Sequence, residues 1–154
     1  MKKLLLLIII AAFSITFKQH SAVIDPTGTY ILKGIVKKNI INGHNGEIKA
    51  KLLSKDKLLL SFYLNDGYPK FETVFFIDSF YYFDSRISYH SKTDADCIID
   101  FEFNQSSVKT FFVHSDPKCN CGFAEGSIIP ATFEKISAEI PVIRLFDKQI
   151  DKGK

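Results

Sequence analysis

Apolar and polar residues alternate with a period of two through most of this chain, the pattern of strands that bury one face and wet the other. The clearest case sets Cys97, Ile99, Phe101 and Phe103 against Ile98, Asp100 and Glu102. Asn104-Gln105-Ser106-Ser107 follows, with side chains that bond to nearby backbone and favour a turn, and Val108 to His114 then resumes a β-branched and aromatic run. The two runs predict a hairpin. Upstream, Ile48, Ala50 and Leu52 alternate with Glu47, Lys49 and Lys51. Leu58, Leu60, Phe62 and Leu64 share one face, opposite Leu59, Ser61 and Tyr63. Between these strands, Ser54-Lys55-Asp56-Lys57 reads as a solvated charged turn.

Other elements are read the same way. Gly28-Thr29-Tyr30 opens a first strand over Tyr30 to Lys37, and Asn42-Gly43-His44-Asn45-Gly46 is a turn rich in residues that tolerate positive φ. Asn65-Asp66-Gly67 with Pro69 is the strongest turn signal, followed by a strand over Phe71 to Asp78. Around Ser79 to Phe83 both faces turn aromatic, with Phe75, Phe76, Phe80, Tyr81, Tyr82 and Phe83 close together. Such a strand is either covered on both faces or partly exposed as a binding surface. Arg86 to His90 predicts a short strand, Ser91 to Asp96 a loop, and Ala131 to Ile136 the last core strand. Ile140 to Phe146 is too apolar for a free tail and is expected to lie against the body. No segment carries a helical period. About eight short strands predict an all-β fold, a single antiparallel barrel or sandwich.

A chain of 154 residues makes one domain, and 46% hydrophobic content excludes a disordered one. Met1-Lys2-Lys3 before the apolar run Leu4 to Ala12 has the form of a signal peptide, too short to span a bilayer comfortably. The expected organisation is a leader over 1–22, one β domain over 23–146 and a loose tail over 147–154. The leader holds Lys2, Lys3 and Lys18 and no acid, so its removal takes the 20 basic residues to 17, against 17 acidic, and the net charge from +3 to zero. A role on nucleic acid or on an anionic membrane therefore loses its electrostatic support, and neither a nucleic-acid partner nor stable membrane insertion is expected of the mature protein.

Export, to the periplasm or the extracellular space, makes a disulfide the default for paired cysteines. Of the three possible pairings, Cys119 to Cys121 closes a very small, strained ring, while Cys97 to Cys119 and Cys97 to Cys121 stay open. Asp96-Cys97, the alternating strand after it, and Cys121-Gly122-Phe123 with Gly126 resemble an uncharacterised family of small secreted bacterial proteins. Asp25-Pro26-Thr27-Gly28-Thr29-Tyr30 is similar too. That resemblance implies a Cys97 to Cys121 bridge and leaves Cys119 as an extra cysteine. A bridge closing a loop of about 25 residues adds roughly 3 to 4 kcal/mol in the chain-entropy account.

Candidate chemistry is sparse. His90, Cys97, His114, Cys119 and Cys121 are zinc-binding types, but Cys119 and Cys121 stand one residue apart and match no standard finger. His114 and Cys119 suggest a Cys–His nucleophile, yet exported thiols oxidise and no orienting motif surrounds them. Asp94/Asp96 and Asp100/Glu102 are carboxylate pairs without a second wall to separate their acidities. Catalytic residues, a metal and a cofactor are accordingly not assigned.

Gly28-Thr29-Tyr30 near the mature start is similar to the openings of lipocalin-like barrels. Ser85-Arg86-Ile87-Ser88-Tyr89 resembles the Ser-Gly-x-x-Tyr loop of periplasmic c-type lysozyme inhibitors, with Arg86 where that family has glycine. The expectation is an exported, non-catalytic binding barrel using Phe76, Phe80, Tyr81, Tyr82, Ser85 and Tyr89. Its partner is a small apolar ligand or a protein. The alternative is an inhibitor of a wall-degrading hydrolase acting through Ser85 and Tyr89.

Overall fold

The alternating runs become strands. A computed structural model of the protein describes residues 24–93, 96–114, 121, 123 and 129–144. The expected leader, the tail over 147–154, Asp94 and Cys119 lie outside the described residues, as does the side chain of His114. In chain order the strands are β1 (Gly28–Leu32), β2 (Ile35–Lys37), β3 (Ile40–Asn42), β4 (Asn45–Ser54) and β5 (Lys57–Asn65). They continue with β6 (Thr73–Tyr81), β7 (Arg86–His90), β8 (Cys97–Phe103), β9 (Ser107–His114) and β10 (Ala131–Ser137). Among the described residues there is no helix.

Eight strands form one antiparallel sheet in the order β6-β5-β4-β1-β10-β9-β8-β7. Every pairing in it except β1 with β10 joins strands that follow one another in this sheet along the chain. Its two edges, β6 and β7, are also consecutive, and the sheet curls until they face each other. The result is a nearly closed up-and-down barrel with one seam. Of the two expected architectures, this is the barrel.

Register carries the apolar set inward. Tyr30 pairs with Ile48, Ile48 with Phe62, and Phe62 with Phe76, so one row of large side chains crosses four strands. Phe62 then reaches across the interior: its ring lies 5.3 Å from Phe101 on β8 and 5.9 Å from Phe133 on β10. Tyr30 and Phe103 meet edge to face at 6.0 Å at the next level. These rings are fully buried, or within 2% of it, and each contributes about 1.5 to 3 kcal/mol of transfer free energy. At the level of Phe62 the barrel is filled by side chains, as eight-stranded barrels of this width allow.

Cys97, at the start of β8, is joined to Cys121, with Cα atoms 5.1 Å apart. The buried hydroxyl of Ser91 donates to the Cys121 carbonyl at 2.9 Å, fixing that returning segment over the end of β7. Phe123 continues it against Tyr89 at 6.3 Å.

The first expected strand, Tyr30 to Lys37, breaks. β1 stops at Leu32, and β2 leaves the barrel to pair with β3 in a separate two-stranded sheet. Two local features cause this. Lys38 and Asn39 both take positive φ (50° and 62°), the primed turn that suits a two-residue hairpin. At Gly34 the chain passes so close to the returning strand that a Cβ would lie 2.6 Å from Ile41 Cγ2. The base of this hairpin is tied to the β5–β6 connection: Tyr68 N–H donates to the Ile41 carbonyl at 2.9 Å. There too, His44 Nε2 lies 3.2 Å from Asp66 Oδ1, at ion-pair distance but off the line of a hydrogen bond. β6 also starts later than expected, at Thr73, because Phe71 adopts a φ of 56° that no strand accommodates.

Candidate functional site

The connection from β6 to β7 carries the most exposed aromatic surface on the barrel wall. Alternation holds up to the turn: Phe80 and Tyr82 point inward, Tyr81 and Phe83 outward. Asp84 and Ser85 then take positive φ (47° and 62°), and Phe83 and Arg86 close the turn with reciprocal backbone bonds of 3.2 and 2.9 Å. Three further bonds pin the segment. Tyr82 N–H donates to the Asp56 carbonyl at 2.8 Å, Phe103 N–H donates to the Ser85 carbonyl at 2.8 Å, and the Tyr82 hydroxyl donates to the Ile24 carbonyl at 2.6 Å. The turn thus crosses the lower end of the seam, held by the β4–β5 turn, by β8 and by the N-terminal lead-in.

On this fixed base Tyr81 and Phe83 are 68% and 69% exposed, their rings nearly parallel at 11° with centroids 6.2 Å apart. They border a shallow depression of about 530 Å³ whose other wall is Asp84, Arg86, Ser88 and His90. Arg86 Nη2 bonds Glu102 Oε1 at 3.1 Å, and the Ser88 hydroxyl donates to Asp100 Oδ1. The carboxylates Asp100 and Glu102 are therefore outer-face partners of β7, each held by the residue opposite it in register. An apolar floor beside a polar, mixed-charge wall suits binding.

The other candidate residues lie elsewhere. Phe76 and Phe80 are half-buried on the inward side of β6, and Tyr82 and Tyr89 are buried. Phe76 stacks on Tyr89 across the seam, centroids 4.3 Å apart and planes 18° from parallel. Burial, and then the negative charge of Asp78, push the Tyr89 phenol above its usual range. Burial also pushes the Tyr82 phenol up, against the opposing effect of a hydrogen bond from Ser85. Four of the six candidates thus belong to the interior or the seam, Ser85 is half-buried within the turn, and Tyr81 alone is a surface ring. Phe83 and Arg86 are the site residues that the sequence reading left out. Continuing the alternation from Phe80 through Phe83 places Phe83 beside Tyr81 on the outer face.

Cys97 and Cys121 hold each other, which removes both from any zinc set. Among the described residues no group of three or more His, Cys, Asp and Glu side chains is placed to hold a metal ion.

The class these features define is a seamed, eight-stranded antiparallel barrel with one disulfide and an aromatic surface site at the seam's end. Comparison of the chain with protein-family models, with curated proteins and with solved structures finds no match.

Proposed function

We propose that the protein is an exported, non-catalytic binding barrel that takes its ligand on the outer wall at the β6–β7 turn. One observation carries this: two parallel, solvent-exposed rings, Tyr81 and Phe83, sit on a turn pinned from three sides. Exposing two large rings is costly unless something covers them, and pinning lowers the entropy lost when it does. The filled level at Phe62 further favours the outer wall over the interior. The ligand is a small apolar molecule or an apolar patch of a partner protein. The test is amide chemical-shift mapping with the apolar dye ANS. Shifts at residues 81 to 90 that vanish in Tyr81→Ser/Phe83→Ser, with unfolding unchanged, support the reading. Shifts confined to the interior strands sink it.

A second reading, inhibition of a wall-degrading hydrolase such as lysozyme, draws on the same rigid turn, which presents Phe83 and Asp84 in one fixed conformation. Of the two residues the resemblance points to, Tyr89 is stacked inside the seam and Ser85 is half-buried in the turn, so contact falls to Phe83 and Asp84 beside Ser85. Lysis of a bacterial suspension by lysozyme, titrated with the protein, decides it. Full lysis at excess protein removes it.

A further inference from the structure

The β2–β3 hairpin stands at the opposite end of the barrel from Tyr81 and Phe83. Along the β5–β6 ladder Asn65 pairs with Thr73 at one end and Lys57 with Tyr81 at the other. The hairpin is bonded at the Asn65 end, through the Tyr68 N–H and a bridge between Asn42 and Tyr68. Its base is therefore fixed, while its strands lie in solvent.

Those strands are apolar on both faces. Ile35 and Ile40 share one face with Lys37 and Asn42, Val36 and its register partner Ile41 form the other, and all four apolar side chains are exposed, Ile35 and Val36 by 65% and 66%. Neighbouring residues of a strand point to opposite sides, so covering one face leaves the other wet. A medium that is apolar around the hairpin satisfies both. Tyr68 and Phe71, both exposed, stand at its base in an edge-to-face pair 6.0 Å apart.

The charge around this patch is mainly positive. Lys33, Lys37 and Lys38 lie in the hairpin and its lead, and Lys70 lies between the two exposed rings. The acids nearest to it are Asp66, buried against His44, Glu47, which borders the groove beside Val36 and Ile41 and is paired with Lys49 at 2.7 Å, and Glu72 after Phe71, against four lysines. The zero balance expected of the mature chain hides this local excess. Isoleucine and valine side chains, a pair of aromatic rings and a collar of lysines with long apolar stems match the layers of an anionic bilayer surface.

We infer that this end of the barrel adsorbs to membranes bearing anionic headgroups. The hairpin lies shallowly at the acyl boundary, the lysine ammonium groups reach up to lipid phosphates, and no strand crosses the bilayer.

The chain has no tryptophan, so Ile35→Trp places a unique fluorophore on the hairpin. With the full chain, vesicles of equal parts phosphatidylglycerol and phosphatidylcholine should shift its emission to shorter wavelength, and brominated acyl chains should quench it. Leu53→Trp, exposed beside the β4–β5 turn at the other end of the barrel, should respond to neither and separates hairpin contact from mere attachment of the chain. Lys37→Glu/Lys38→Glu should weaken partitioning at least about tenfold, and added salt should weaken it without any charge substitution. The inference is overturned by an unchanged spectrum with anionic vesicles, or by an equal shift on pure phosphatidylcholine. A shift that grows with protein concentration in the absence of lipid also overturns it, since the patch then covers itself with a second copy.

Discussion

At the residue scale, the molecule is held by rings that meet across the barrel. Phe62 touches Phe76 at 5.2 Å, Phe101 at 5.3 Å and Phe133 at 5.9 Å, so Phe62→Ala opens a cavity bordered by three strands. A loss of about 3 to 5 kcal/mol in urea unfolding is expected. Tyr82→Phe keeps the ring against Phe103 but loses the bond to the Ile24 carbonyl, at a cost of about 1 kcal/mol in the same measurement. Three phenols, Tyr30, Tyr82 and Tyr89, are pushed above the usual value of 10.0, burial being the first cause in each. The sign follows from linkage. The unfolded chain releases these protons first, so their stabilisation is whole below pH 10 and falls as pH rises above it. Urea midpoints should hold level up to pH 10 and then drop, and Tyr30→Phe should make the drop shallower. Unchanged midpoints between pH 10 and 11 would refute this.

At the element scale, β6 and β7 are the two sheet edges, and what joins them is side chains. Phe76 stacks on Tyr89, and Lys92 Nζ approaches Asp78 Oδ2 at 3.8 Å. Asp78 falls on the inward-facing parity of an edge strand, a charge placed where it discourages a foreign strand from pairing. Phe76→Ser should therefore speed amide exchange in β6 and β7 while β4 and β5, paired on both sides, stay protected. Uniform acceleration across the sheet would contradict a seam held locally. Element positions were legible wherever alternation was strict: β4, β5, β8 and β9 fall where the period of two puts them. The β2–β3 hairpin was not. Lys38-Asn39 is a turn whose positive φ values only the asparagine hints at, and Ile35-Val36-Lys37 reads as a continuation of the first strand. The site was half legible. A dense aromatic run marks the right segment, but composition cannot say which rings face out, and the buried Tyr82 and Tyr89 have the same side chain as the exposed Tyr81.

At the scale of the whole molecule, β1 and β10 pair and join two meanders, β4-β5-β6 and β7-β8-β9-β10, into one sheet. The disulfide sits in the second of these. Its loop spans a sequence separation of 24, so Cys97→Ser/Cys121→Ser should cost roughly 3 to 4 kcal/mol of unfolding free energy in the chain-entropy account. Urea titration of the variant against the parent checks it. Equal midpoints would mean that the loop is already constrained by other contacts. A tube slit along one line behaves like a spring clip: it resists twisting about its long axis poorly and yields in girth before it yields in length. Widening the slit separates Phe76 from Tyr89 and Phe101, and Lys92 from Asp78, and leaves the ladder bonds of the sheet in place. The barrel can therefore change its bore at the cost of side-chain packing alone, while a fully laced tube of the same strands would also have to break a row of hydrogen bonds.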